Sequence, residues 1–275
     1  MGAGGSANRC PLAGDRMEYS NITLSVGDRV ATLSLNRPDA LNALNPDLLA
    51  EFSHAVAAVS DDCSVKAMVV RGEGRGFCAG ADLLYFDEVF EDLSLLPDYV
   101  EDLNDAFFAL EAMPIPTIAV VHGYALAGGM ELMMACDMAV VAEDARIGDQ
   151  HANFGLIPGG GSTQRLPRRV GMPRAMELLT TGRWLSGKEA VEWGLALRSA
   201  PPEFLEAELE SLLEGLRAKS RVGLNLMKSL ARRSQDLPLR DGVALEGANF
   251  THVFATSSHP REGIRAFKEK RHPEF

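Results

Sequence analysis

Apolar and polar positions alternate over residues 22–26 and again over 30–35, with Gly27-Asp28 between the two runs. A period of two turns one face of each run inward, so the pattern predicts two half-buried strands joined as a hairpin. Asn36-Arg37-Pro38-Asp39 breaks the alternation. Asn45 and Pro46 then supply an N-cap and a first-turn proline, which predict a helix to about residue 60. The apolar run at 65–72 predicts the next strand. Strand, helix and strand within about 50 residues predict a right-handed crossover between parallel neighbours.

The pattern of strand, glycine-rich turn and helix recurs without a sequence repeat. Gly74, Gly76 and Gly80 punctuate the segment that follows the strand, and an acidic stretch at 87–105 leads into a predicted helix over 99–113. The segment 83–97, with Tyr85, Phe86 and Phe90, reads as a loop. Strands are predicted at 117–121 and 138–142, with a short one near 145–148. Gly159-Gly160-Gly161-Ser162 predicts a sharp turn before a helix. Beyond residue 173 the pattern is almost wholly helical, with helices predicted over 174–180, 186–194, 203–219, 222–234 and 245–254, and a short closing one from Pro260. Ser186 with Glu189 forms a capping box for the second of these. The fold class predicted is α/β.

The stretch 118–137 is the most informative. A short β-branched strand passes through Ala125-Leu126-Ala127 to Gly128-Gly129, and Met130 to Ala135 continue as a nearly all-apolar helix. Glycines admit close approach to the backbone, and the first N–H groups of a helix have no partner within it. The dipole adds positive potential there, so such an end is suited to an oxygen that gains negative charge. Glu131 falls in the first turn, and a carboxylate in these surroundings must be paired, neutral or functional. Asp137 reads as the end or cap of this helix, and Asp82 as a structural turn residue. His122 reads as packed or hydrogen-bonded, and His54, His252, His259 and His272 have no chemical context.

Composition narrows the function classes. The 275 residues are 46% apolar and 24% charged, as in an ordinary globular protein, and no run approaches the ~18 apolar residues of a membrane span. A net charge of −11 argues against nucleic acid as a general partner. The clusters at Arg165, Arg168 and Arg169 and at Lys268, Lys270 and Arg271 read as solvated basic faces. Cys10, Cys63, Cys78 and Cys136 have no metal-ligand spacing and read as reduced thiols of a cytoplasmic protein. Residues 1–16 lack an apolar core segment and read as a disordered tail rather than a signal peptide. Neither phosphate-loop fingerprint nor a GxSxG nucleophile elbow occurs.

Four motifs in order carry a family resemblance. They are Asn36-Arg37-Pro38 with Leu41-Asn42-Ala43-Leu44, the segment Gly76-Phe77-Cys78-Ala79-Gly80-Ala81-Asp82-Leu83, the segment from Gly123 to Leu132, and Gly155-Leu156-Ile157-Pro158 through Leu166. Gly182, Ala190, Gly194 and the terminal Phe267-Lys268-Glu269-Lys270-Arg271 fit as well. From about residue 22 to the end the chain resembles the crotonase (enoyl-CoA hydratase/isomerase) superfamily. The resemblance implies a spiral of stacked ββα turns over residues 17–200, and a helical trimerisation region over 201–275 that gives a homo-trimer or a dimer of trimers. It implies an acyl-CoA substrate, with coenzyme A as part of the substrate and no permanently bound cofactor; composition and spacing add the expectation of no metal, nucleic acid or membrane partner. It implies an oxyanion hole from the backbone N–H groups of Ala81 and Gly128. It also implies CoA contacts from Leu41, Ala43 and Ala79, with Lys268 or Lys270 meeting a CoA phosphate.

Hydratases of this superfamily carry two catalytic glutamates. Glu131 stands at the first position, but the register gives His151 at the second, with Asp149 two residues earlier and on the same side if the segment is extended. An imidazole still suits proton transfer near neutrality. Three readings follow. One is hydration of a 2,3-unsaturated acyl-CoA through Glu131 and His151. Another is a different crotonase reaction, double-bond isomerisation or hydrolysis. The third is a non-catalytic acyl-CoA-binding homologue. Relatives that isomerise dienes use an aspartate after the Ile-Pro turn, where Gly159 stands here.

Overall fold

The computed structural model describes residues 18–275; the expectation for 1–16, and Cys10, lie outside the described residues. The chain opens with β1 (Ile22–Gly27) and β2 (Val30–Leu35), paired antiparallel as the alternation requires. Asn45 caps α1 (Pro46–Asp61), its side chain accepting from the Leu48 N–H at 3.0 Å. β3 (Ala67–Gly72) returns parallel to β2, which completes the crossover.

A glycine-rich loop follows, then α2 (Leu83–Glu91), α3 (Leu95–Ala112) and β4 (Thr117–Val121). The expected loop at 83–97 is therefore largely helical. Asp82 is the reason: its Oδ1 accepts from the Leu84 N–H at 3.0 Å and caps α2, and its Oδ2 holds Arg37 Nη1 at 2.7 Å. Tyr85 and Phe86 pack their rings on Tyr99 of α3, while Phe90 faces outward. α3 also begins before residue 99, because Pro97 sits in its first turn, where a proline lacks nothing that the helix needs.

β5 (Tyr124–Leu126) leads into α4 (Gly128–Ala135), all of whose residues are buried. A helix apolar on every side belongs in the interior. β6 (Met138–Ala142) and β7 (Arg146–Gly148) come next, then α5 (Ser162–Val170), α6 (Met172–Thr181), α7 (Gly187–Glu192) and β8 (Arg198–Ala200). The capping box of Ser186 and Glu189 is present at α7. The main sheet runs β1-β2-β3-β4-β6-β8 and is parallel apart from β1; β5 and β7 form a separate parallel pair. β4 is buried throughout, and β3 and β6 nearly so, as strands covered on both faces must be.

Four helices close the chain: α8 (Leu205–Arg217), α9 (Arg221–Arg233), α10 (Leu239–Thr256) and α11 (His259–Glu269). α8 buries Leu205, Leu209 and Leu213 against the sheet, α9 buries Leu224, and α10 buries nothing. α10 starts at Leu239 rather than 245. With no buried face it carries little helical periodicity for a sequence reading to find. Asp137 does not cap α4, whose C-cap is Cys136. Instead it accepts from the Thr117 N–H at 2.8 Å and pairs with Lys228 and Arg232 of α9, at 2.8 Å each, so it ties the helical segment to the sheet.

Candidate active site

Three irregular segments lie side by side at the C-terminal ends of the parallel strands. The Ala79 N–H donates to Leu41 O at 3.0 Å, the Leu44 N–H to Gly80 O at 2.8 Å, and the Cys78 N–H to Tyr124 O at 3.0 Å. The Leu126 N–H returns to Cys78 O at 3.0 Å. Asn42 locks the first two segments together. It is fully buried, and its amide donates to Glu73 O and Gly76 O at 2.9 Å each, while its own oxygen accepts from the Arg37 N–H. Leu41, Ala43 and Ala79 thus come together, and the Ala79 carbonyl has no hydrogen-bond partner among the described residues. Lys268 and Lys270 stand apart, on and at the end of α11. Lys268 lines a surface groove with Arg261 and Arg265, and no hydrogen bond joins either lysine to the 41–44 or 77–82 segments.

The same arrangement brings Ala81 and Gly128 together. A methyl group added at Gly128 would lie 3.4 Å from Ala81 N, and one added at Gly80 would lie 3.0 Å from Gly128 N. Neither the Ala81 nor the Gly128 N–H has an acceptor among the described residues. Ala127, just before α4, has φ 48° and ψ −117°, a left-handed conformation that costs energy for a residue with a Cβ. Its own N–H is held by Gly148 O at 3.0 Å, and this fixes the turn that presents the Gly128 N–H.

Glu131 is 1% exposed, one turn into α4. Its Oε1 accepts from the Ser162 N–H at 2.8 Å. Burial raises its pKa above the ordinary carboxylate range, with the Ser162 N–H and the charge of His151 pulling the other way. Gly160 lets the 159–162 turn close over this carboxylate: a methyl there would stand 2.6 Å from Glu131 Oε2. Arg165 secures the turn from behind, donating to Gly160 O at 2.6 Å and gripping Glu111 with two nitrogens.

β7 pairs with β5, so the chain leaving Gly148 emerges beside the start of α4. Asp149 is completely buried, and His151 Nδ1 lies 2.9 Å from its Oδ1. The segment is not extended. Gln150 is in the right-handed helical region and a 3₁₀ turn starts at His151, so the two side chains meet through the turn rather than across a strand face. Burial alone would lower the His151 pKa, but the Asp149 hydrogen bond and the charges of Asp149 and Glu131 outweigh it, and the net shift is upward. His122 binds Gly74 O at 2.9 Å, as a packed histidine does.

The Ser162 and Arg165 supports of Glu131 were not read from sequence as supports. A serine opening a helix directly after three glycines was the available signal. Burial pushes the thiol pKa of Cys78 and of Cys136 up to about 12, which leaves both inert. Among the described residues no group of three His, Cys, Asp or Glu is placed to hold a metal, and no helix is long and apolar enough to cross a membrane.

A parallel sheet whose connecting loops gather two free backbone donors, a helix N-terminus and buried acid–base groups defines an α/β protein of the crotonase fold. The profile of the enoyl-CoA hydratase/isomerase family matches residues 26–275, and the chain belongs to that family. It is 37% identical over 262 residues to the crotonyl-CoA hydratase of Syntrophomonas wolfei, spanning 94% of this chain and 99% of that protein. The crystal structure of an enoyl-CoA hydratase from Bacillus anthracis superposes with a TM-score of 0.89 at 32% identity, over 93% of this chain and 99% of that one. An enoyl-CoA hydratase structure from Mycobacterium smegmatis gives 0.83 at 32% identity, over 93% and 98%.

Proposed function

We propose that the protein adds water across the 2,3 double bond of an enoyl-CoA. One observation carries this reading: a buried carboxylate and a carboxylate-backed imidazole lie on adjoining segments beside two unpartnered backbone N–H groups. The Ala81 and Gly128 N–H groups receive the thioester oxygen, and the N-terminal end of α4 adds favourable potential. As the water oxygen bonds to C3, Glu131 takes a proton from it and the π electrons move through C2 to the thioester oxygen. His151, as imidazolium, gives a proton to C2 and the enolate collapses to the 3-hydroxyacyl thioester. The proton on Glu131 then returns to the imidazole, so the sum is one water added. Pre-aimed backbone dipoles of this kind are worth about 10²–10³ in rate per donor.

Leu41, Ala43 and Ala79 are assigned to the CoA moiety, with the free Ala79 carbonyl as acceptor for an adenine amino group. Coenzyme A arrives and leaves with the acyl group, so the reaction as written uses no resident cofactor. The buried thiols of Cys78 and Cys136, neither of them in a disulfide, fit a reducing cytoplasm. The helical segment 201–275 is assigned to self-association as a trimer or dimer of trimers. α10 supports this: it buries no residue within the chain and exposes Leu239, Val243, Phe250 and Phe254. Light scattering is expected to give a mass of three or six chains, and a monomer would overturn the assignment. With it, Lys268 and Lys270 would serve a neighbour's CoA phosphate.

Purified protein mixed with crotonyl-CoA is expected to lose the enoyl absorbance and form a hydroxyacyl-CoA without release of thiol. Free CoA thiol would mean hydrolysis, a moved double bond isomerisation, and tight binding without turnover a non-catalytic homologue. Each of these would overturn hydration.

A further inference from the structure

Asp149 is the buried charge that the hydration scheme leaves unused. Its Oδ1 receives both His151 Nδ1, at 2.9 Å, and the His151 backbone N–H, at 3.2 Å. Its Oδ2 is buried with no hydrogen-bond partner among the described residues. A turn that needed only an acceptor for one N–H would be served by a smaller neutral side chain at lower desolvation cost. A fully buried carboxylate with one oxygen unmatched has its rationale in its effect on the imidazole.

Geometry says what that effect is. A carboxylate only accepts, so the imidazole nitrogen facing it carries the proton. Nε2 is then the nitrogen free to gain or lose a proton. It has no partner among the described residues, and the side chain keeps 13% of its exposure. The charged groups acting on the ring are Asp149 from its own segment and Glu131 from α4. The contact with α6 is neutral, made by Asn153 on the Gly182 carbonyl at its C-cap. Among the described residues no cationic side chain pairs with His151.

We propose that Asp149 is a positioning residue that fixes the His151 ring with Nδ1–H toward itself and Nε2 toward the substrate, and keeps the ring protonated for proton delivery. The proposal deepens the hydration reading and rests on it for the identity of the proton acceptor. Orientation removes the ring flip that would otherwise leave either nitrogen forward, and the fixed negative charge holds the imidazolium where burial would discharge it. The imidazolium is the delivering form. Loss of the Asp149 charge therefore moves the alkaline limb of kcat to lower pH.

The test has two arms. Nitrogen-15 histidine spectra of the free protein are titrated for the wild type and for Asp149→Asn, and kcat and KM for crotonyl-CoA are measured across pH. In the wild type, Nδ1 is expected to be protonated on both sides of the titration. In Asp149→Asn, the His151 midpoint falls, kcat at neutral pH drops by about tenfold to a hundredfold, part of what a general acid supplies, and KM holds. Asp149→Ser, which keeps an acceptor for the His151 N–H, stands in if the asparagine variant does not fold. A merely structural Asp149 would cost as much again in a His151→Gln background. A positioning Asp149 would cost nothing further there. Hydration with an Asp149-independent titration overturns this proposal alone. An Asp149-dependent titration without hydration overturns the hydration reading and leaves the coupling standing.

Discussion

Glu131→Gln is expected to lower kcat for hydration by about a hundredfold to ten-thousandfold, the range that a positioned acid–base group supplies, with KM little changed. Glutamine keeps an oxygen for the Ser162 N–H, which donates to Oε1 at 2.8 Å, so the turn over the site has no reason to open. It cannot take the proton from water. The folded-state pKa of Glu131 lies above its free value, with burial as the main cause. A raised carboxylate pKa contributes stability below the unfolded value and loses it as pH rises through the folded one. At neutral pH the wild type therefore bears the cost of a buried ionised group, and Glu131→Gln removes it. The variant should melt at or above the wild-type temperature while being nearly inactive. A variant that loses activity only in proportion to folded protein would show that Glu131 is structural.

The pH profile of the wild type follows from the same two groups. Hydration as assigned needs Glu131 ionised and His151 protonated. Both pKa values are raised, so both limbs of the bell are displaced upward, the acid limb above the ordinary glutamate range and the alkaline limb above that of a free imidazole. The limbs belong to a coupled pair, since the charge of each group acts on the other.

Local chemistry made much of the fold legible. The β1–β2 hairpin, the Asn45 cap of α1 and the capping box of α7 each rest on residues within a few positions of one another, so the chain itself carries the signal. α2 was lost because Asp82 reads equally as a turn residue and as a cap, and only the Leu84 N–H decides between them. The sequence pattern misses the first six residues of α10 because the helix has no buried stripe within one chain. Asp137 was misread for a different reason. Its partners Lys228 and Arg232 are about ninety residues away and become visible only once α9 has docked. At the site, the glycine turn and Glu131 stood out because a lone carboxylate in an apolar helix is costly. Extended backbone puts Asp149 and His151 on one side of the chain, but it is the 3₁₀ turn at His151 that brings them into contact. The Ser162 N–H and the Arg165 clamp depend on how α5 meets α4, which no local pattern encodes.

Gly129→Ala is expected to damage both stability and catalysis, because one contact spaces the two loops that carry the proposed oxyanion donors. A Cβ at Gly129 would stand 2.1 Å from Cys78 O and 2.8 Å from Cys78 C, both of them backbone atoms. That carbonyl already accepts the Leu126 N–H at 3.0 Å, so it cannot turn away without breaking the Cys78–Ala125 pairing. The loop through Gly80 and Ala81 must instead lift from the start of α4. Overpacking of this kind costs about 1–3 kcal/mol, read as a lower urea midpoint. The same lift parts Ala81 N from Gly128 N, and a misplaced oxyanion donor costs about 10²–10³ in kcat. Gly215→Ala in α8 is the control, since its added methyl meets nothing within 4 Å, and there alanine stabilises the helix by up to about 1 kcal/mol. Should Gly129→Ala match that control in midpoint and in kcat, the close approach of Cys78 to α4 would not be what holds the two donors together. A loss of stability with kcat intact would leave the contact in place but remove Ala81 and Gly128 from the chemistry.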